Sequence, residues 1–201
     1  MNEERQKHPI IFKISFALQF VFWKIVVFVG KILRLKLSAR FLNNSITKGK
    51  DYIPKNLTIE SQKDIQKITN DSNFREKISY ILNKYSVDTN EFYIDSNTVK
   101  SEEHHDIVLN FENHDLFLAL HGTIISVKGT KNEKGMFDLI VTIDDTYDFT
   151  QIRQQNEMGH DIVHILGNVL NNIAVISSKY GVLKTYLISA TIALNDYEVK
   201  V

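Results

Sequence analysis

Residues 123–149 read TIISVKGTKNEKGMFDLIVTIDDTYDF. β-Branched side chains dominate Thr123–Lys128 and Leu139–Ile143, and such side chains suit a pleated, half-buried surface. The run between them, Gly129–Gly135, has the composition of a hairpin turn. Working outward, residues 105–111, 115–128 and 136–147 all read as β-like. Residues 157–179 change to helical spacing, with Ile162, Ile165, Leu166, Val169, Leu170 and Ile173 mostly on one side. Gly181 suits the end of that helix. One or two strands close the chain, at 185–193 and 197–201. Upstream, 58–69 and 72–86 read as helices. The second has Asp71 or Ser72 as N-cap and Phe74, Ile78, Ile81 and Leu82 at helical spacing. A short strand is expected at Glu91–Ile94. Helices, antiparallel strands, one long helix and a closing strand make an α+β fold.

The 201 residues carry no net charge, but the charge is divided unevenly. Residues 1–50 hold ten basic and two acidic side chains, a net of +8, and residues 51–201 hold 14 basic and 22 acidic, a net of −8. This division points to a basic appendage on an acidic domain and excludes a uniformly basic nucleic-acid binder. The absence of cysteine excludes a disulfide scaffold, Cys-ligated zinc and thiol catalysis. Residues 9–30, PIIFKISFALQFVFWKIVVFVG, form a 22-residue apolar stretch that just matches a hydrocarbon core of about 30 Å. Lys13, Lys24 and Lys31 within and beside it fall within about 20° of one another on a helical wheel. That single stripe suits a helix in a membrane interface or one lining a water-facing seam. A buried helix packed on the domain is the alternative. The sequence thus divides into a membrane-associating helix (1–40), a polar linker (41–57) and an α+β domain (58–201). If the helix spans, the basic flank Lys31–Lys36 places the domain in the cytoplasm.

Chemistry concentrates first at Asp144-Asp145-Thr146-Tyr147-Asp148-Phe149. Alternation along a strand puts Asp145 and Tyr147 on one face, with Asp144, Thr146 and Asp148 on the other. A bulge would bring Asp145 and Asp148 together, and a hard cation would relieve their repulsion. A solvated acidic strand end is the plain alternative. A second candidate is His160-Asp161-Ile162-Val163-His164, whose histidines share a helix face and suit a zinc ion. An amphipathic helix with two polar-face histidines is the plain alternative. The cluster Glu102-Glu103-His104-His105-Asp106 reads as a loop-to-strand edge, where adjacent histidines point apart. No Walker, Rossmann or G-x-S-x-G pattern occurs.

The series Gly122–Gly129, a turn, a second strand and then Asp145-x-Tyr147-Asp148 resembles the catalytic domain of colicin M-type bacteriocins. The resemblance covers about 115–195, including the following helix and closing strand. It implies an antibacterial toxin that hydrolyses the lipid II phosphoester with Mg²⁺ at the periplasmic face of a target bacterium. It also implies a cognate immunity protein as partner. By position Asp145, Tyr147 and Asp148 match the family's motif, with Asp145 as the main catalytic carboxylate or metal ligand. The His-Arg pair that follows in the family is replaced here by Gln154 and Gln155. Arg153 and His160 are the nearest substitutes, as phosphate-binding cation and acid-base imidazole. The five-residue H-D-x-x-H run is also similar to the zinc motif of a ubiquinone-biosynthesis family. A third expectation is a membrane-tethered interaction module without catalysis.

Overall fold

The computed structural model describes residues 9–49, 51–86, 90–120, 122–149 and 162–199. The fold is α+β. In chain order the elements are α1 (Pro9–Ile32), α2 (Lys36–Ser45), β1 (Leu57–Thr58), α3 (Gln62–Asn70), α4 (Ser72–Tyr85) and β2 (Glu91–Ile94). A 3₁₀ helix (Ser101–Ile107), β3 (Val108–Leu109), α5 (His114–Ala119), β4 (Thr123–Lys131) and β5 (Phe137–Tyr147) follow. The last elements are α6 (Ile162–Lys179) and β6 (Tyr186–Tyr197). The six strands form one mixed sheet in the order β1-β6-β5-β4-β2, with β3 also on β4.

The chain forms two compact units, both discontinuous in sequence. One comprises 1–56 and 146–186, the other 57–145 and 187–201. In the first, α1 turns back into α2 through a tight C-terminal motif. Arg34 adopts φ +64° and donates its amide to Lys31 O, while Leu35 N reaches Gly30 O at 2.8 Å. That pair of bonds is the Schellman arrangement, which caps carbonyls the helix leaves unpaired. α6 ends the same way: Gly181 has φ +74°, its amide bonds Ser178 O, and Val182 N bonds Ser177 O. The core of this unit gathers Trp23 and Val27 of α1, Ala39 of α2, Ile46, Ala174 of α6, Val182 and Leu183. Trp23 Nε1 donates to the buried Ser177 Oγ at 2.8 Å, so the one polar atom of the indole is satisfied inside that core.

The second unit is built on the sheet. β4 and β5 pair antiparallel from Ile124↔Asp144 to Lys131↔Phe137. Alternate residues Ile125, Val127, Leu139, Val141, Ile143, Ile188, Ala190 and Ile192 are buried, the period of two expected of a sheet covered on one face. Helices α3, α4 and α5 contribute Ile68, Phe74, Ile78, Ile81, Leu82 and Leu116 to the buried set.

Several elements depart from the sequence reading. Of residues 105–111 only Val108–Leu109 are strand, and the start of 115–128 is not strand. Residues 105–107 belong to the 3₁₀ helix that precedes β3, and His114–Ala119 is α5. Asn113 caps α5, its Oδ1 accepting from the amides of Asp115 at 3.1 Å and Leu116 at 3.2 Å. Leu116, Ala119 and Leu120 then fall on the buried side at spacings of three and four. Gly129 is not a turn residue but lies inside β4 opposite Leu139, and the turn runs from Asn132 to Met136 with Gly135 at φ +79°. A Cβ at Gly129 would come within 2.5 Å of the Phe92 ring, so the glycine is required by close approach of β2. In the stretch read as linker, Phe41, Ser45 and Ile46 are buried, and Ile46 bridges Leu183. Of the one or two strands expected at the C-terminus there is one, β6, which runs on to Tyr197, and 157–161 of the expected long helix lie outside the described residues.

Candidate functional site

Asp144 to Phe149 spans the end of β5 and the two residues after it. Exposure alternates through the segment. Asp144, Thr146 and Asp148 are exposed, while Asp145, Tyr147 and Phe149 are half-buried. The strand period therefore continues to Phe149, and it assigns Asp145 and Asp148 to opposite sides of the strand. Tyr147 lies in an aromatic group of the first unit, with ring centroids 6.0 Å from Phe41, 5.2 Å from Tyr186 and 5.4 Å from Phe149. Tyr186 Oη donates to Phe41 O at 2.8 Å, which fixes one wall of this group. Burial pushes the Tyr147 phenol well above its ordinary value. At neutral pH Tyr147 keeps its proton, so it can donate a hydrogen bond but cannot serve as a base. Phe149 also packs against the core that holds Trp23 and Val27 of α1.

Arg153 and His160 lie outside the described residues, and so does the side chain of His164. Of the asparagines that follow on α6, Asn171 is half-buried and Asn172 exposed. Among the described residues no group of three or more His, Asp or Glu side chains is placed to hold a metal ion. The expectations of Mg²⁺ at Asp145 and Asp148, and of Zn²⁺ at His160 and His164, therefore rest on the sequence.

A second cluster, in the other unit, was visible in the sequence only as a run of polar residues. The Asp106 side chain is 2 % exposed yet ionised. Tyr80 Oη and Tyr85 Oη donate to it at 2.8 and 2.7 Å, and Lys84 Nζ at 2.7 Å. His105 Nε2 stands 3.1 Å from Oδ1. Burial by itself would raise the Asp106 carboxyl, but the hydrogen bonds from Lys84, Tyr85 and Tyr80 outweigh it and hold the group well below the usual carboxylate range. The same bond from Lys84 to Asp106, with a second to Glu103, raises the lysine. A pocket of about 540 Å³ adjoins the cluster, lined among others by Asn73, Lys77, Tyr80, Asp106 and Asn110. Burial lowers the Lys77 amine there, with Asp106 acting in the opposite sense. Three donors, the two phenols and the Lys84 ammonium, hold this carboxylate. Asp106 is thus a latch joining the 3₁₀ helix to α4. The sequence signal was the dense acid-histidine run at 102–106. Its partners Tyr80, Lys84 and Tyr85 lie about twenty residues upstream, where only the helical turn brings them onto one face.

No protein-family model matches the sequence, and no curated protein or solved structure matches it, so the functional reading rests on the residues and their placement.

Proposed function

We propose that this protein is a membrane-associated antibacterial toxin. In this reading it hydrolyses the phosphoester of a polyprenyl-linked cell-wall precursor of the lipid II type. The observation that carries the proposal is a shared core. Tyr147 and Phe149 of the Asp145-x-Tyr147-Asp148 segment pack in the same compact unit as α1, whose Lys13–Ile32 stretch is long and apolar enough to cross a membrane. A lipid-linked substrate requires that association, because its scissile bond stays at headgroup depth. The order strand, turn, strand, acidic segment, helix, strand also holds for the described elements from β4 to β6.

The donors at the strand end are carboxylate oxygens, the ligand type that suits Mg²⁺. Asp145 would hold the ion, which when bound would neutralise phosphate charge and polarise the ester. Tyr147, kept protonated by burial, donates to a phosphate oxygen. His160 takes the proton from water, and Arg153 pairs with the phosphate anion. The water oxygen bonds to phosphorus, the bond to the polyprenyl oxygen breaks, and the leaving alkoxide receives the proton. Action at the periplasmic face of a target cell, with an immunity protein guarding the producer, completes the reading.

The test is purified lipid II with Mg²⁺. Asp145→Ala should lower phosphoester cleavage by about 10²–10⁴-fold, the several kcal/mol of charge stabilisation that the ion would supply. Its melting temperature and circular dichroism should stay those of the parent. Equal turnover in the variant, or no turnover by the parent with any divalent cation, overturns the proposal. The second outcome favours a non-catalytic membrane-tethered module.

A further inference from the structure

The exposed side of α1 is a continuous apolar ridge. Ile14, Leu18, Val21, Ile25, Phe28 and Ile32 are each 55–66 % exposed. Their spacing alternates four and three residues, which confines them to an arc of about 80° along the helix. The opposite side is already used: Trp23 and Val27 are buried, Phe16 and Phe20 pack on the same core, and Gly30 meets Ala39 of α2 closely. Lys13, Lys24 and Lys31 fall roughly 80–100° to one side of the ridge, between it and the packed face. Lys24 Nζ is held there by Asn43 Oδ1 of α2 at 3.0 Å and lies over the Phe20 ring. Exposed Arg34, Lys36 and Arg40 continue the positive charge, and residues 9–50 contain no Asp or Glu.

We propose that α1 docks on an anionic phospholipid bilayer by this ridge alone. It lies along the headgroup plane while its other face stays packed on α2 and α6. The inference rests on the membrane association in the reading above and is independent of its chemistry. The occupant is argued from charge and depth. A ridge of large aliphatic and aromatic side chains enters the acyl boundary, and lysines on its flank reach anionic headgroups with their stems along apolar surface. A crossing helix would instead carry both faces into lipid. It would take Trp23 and Val27 out of a formed core and move Lys24 away from Asn43 into the hydrocarbon.

The chain has no cysteine and one tryptophan, so both faces of α1 carry clean reporters. Single-cysteine variants at Leu18, Ile25 and Phe28 would bear an environment-sensitive fluorophore, and Trp23 emission would report the packed face. The probes are phosphatidylcholine vesicles with and without phosphatidylglycerol, carrying brominated lipids at shallow or deep positions. Unchanged Trp23 emission without vesicles verifies that each variant is folded. Binding is expected only with phosphatidylglycerol, weakened roughly tenfold or more by the double variant Lys31→Gln/Arg34→Gln. The three ridge probes should be quenched alike by the shallow lipid, with Trp23 protected. Three outcomes overturn the proposal. Quenching depth that changes steadily from 18 to 28, or deep quenching of Trp23, would mean a crossing helix. Binding without dependence on phosphatidylglycerol would remove the charge argument. Concentration-dependent dimers in place of vesicle binding would assign the ridge to a second copy of the chain. Lipid II turnover is assayed separately in detergent, so failure of either result leaves the other standing.

Discussion

Asp106 illustrates how far a single side chain depends on neighbours distant in sequence. Two phenols and an ammonium converge on a carboxylate that is almost fully buried. Replacing it by Asn puts an amide donor among existing donors. Asp106→Asn should therefore destabilise the protein by about 1–3 kcal/mol, measured by urea unfolding at neutral pH. The pH dependence follows from the sign of the shift. The folded carboxyl titrates below its unfolded value of about 3.9, so its stabilising contribution is complete above that value. It disappears as pH falls through the folded value. The stability gap between parent and variant should be full at pH 7 and should narrow as pH falls below 4. A gap constant down to pH 2 would show that folding does not lower the Asp106 carboxyl. The acid-histidine run at 102–106 was legible as polar, but its role was not, because hydrogen-bond partners on α4 cannot be read from local composition.

At the scale of elements, caps and close approaches decided what periodicity left open. The helix start at Ser72 was legible because Asp71 precedes it, and Asp71 Oδ1 does accept from Phe74 N. Asp71 also accepts from the amide of Asn113 at 2.8 Å, which ties the start of α4 to the start of α5. The six-residue α5 was not legible. It is too short for a helical period to stand out beside β4, and the cap at Asn113 is the only local mark of it. The same physics makes the end of α6 testable. Gly181 sits at φ +74°, a conformation in which a Cβ is strained. Gly181→Ala should cost about 1 kcal/mol and lower the melting temperature. No change in melting would mean that the turn relaxes to a different closure.

At the scale of the whole molecule, the first unit is completed by chain segments more than a hundred residues apart. Trp23 meets Ser177, Ile46 pairs with Leu183, and Thr47 N donates to Val182 O at 2.9 Å. Trp23→Ala removes a large side chain and leaves Ser177 Oγ without its donor, a loss of about 3–5 kcal/mol by the usual cost of large-to-small core changes. Amide hydrogen exchange should then rise across Ala174–Leu183. Protection there equal to the parent's would show that α6 packs independently of α1.

The sequence by itself determined the α+β class, the long apolar helix, the β4–β5 pairing around a polar turn and the acidic segment at the end of β5. Each of these is written in local periodicity, turn chemistry or composition. Tertiary structure alone decided that α1 is apolar on two sides for two different reasons, one side packed on α2 and α6 and the other exposed as a ridge. It also decided that Asp106 is a satisfied latch, and that Gly129 makes room for Phe92 instead of turning the chain. These are consequences of which distant side chains come within a few ångströms of one another, and a one-dimensional pattern carries no record of that distance.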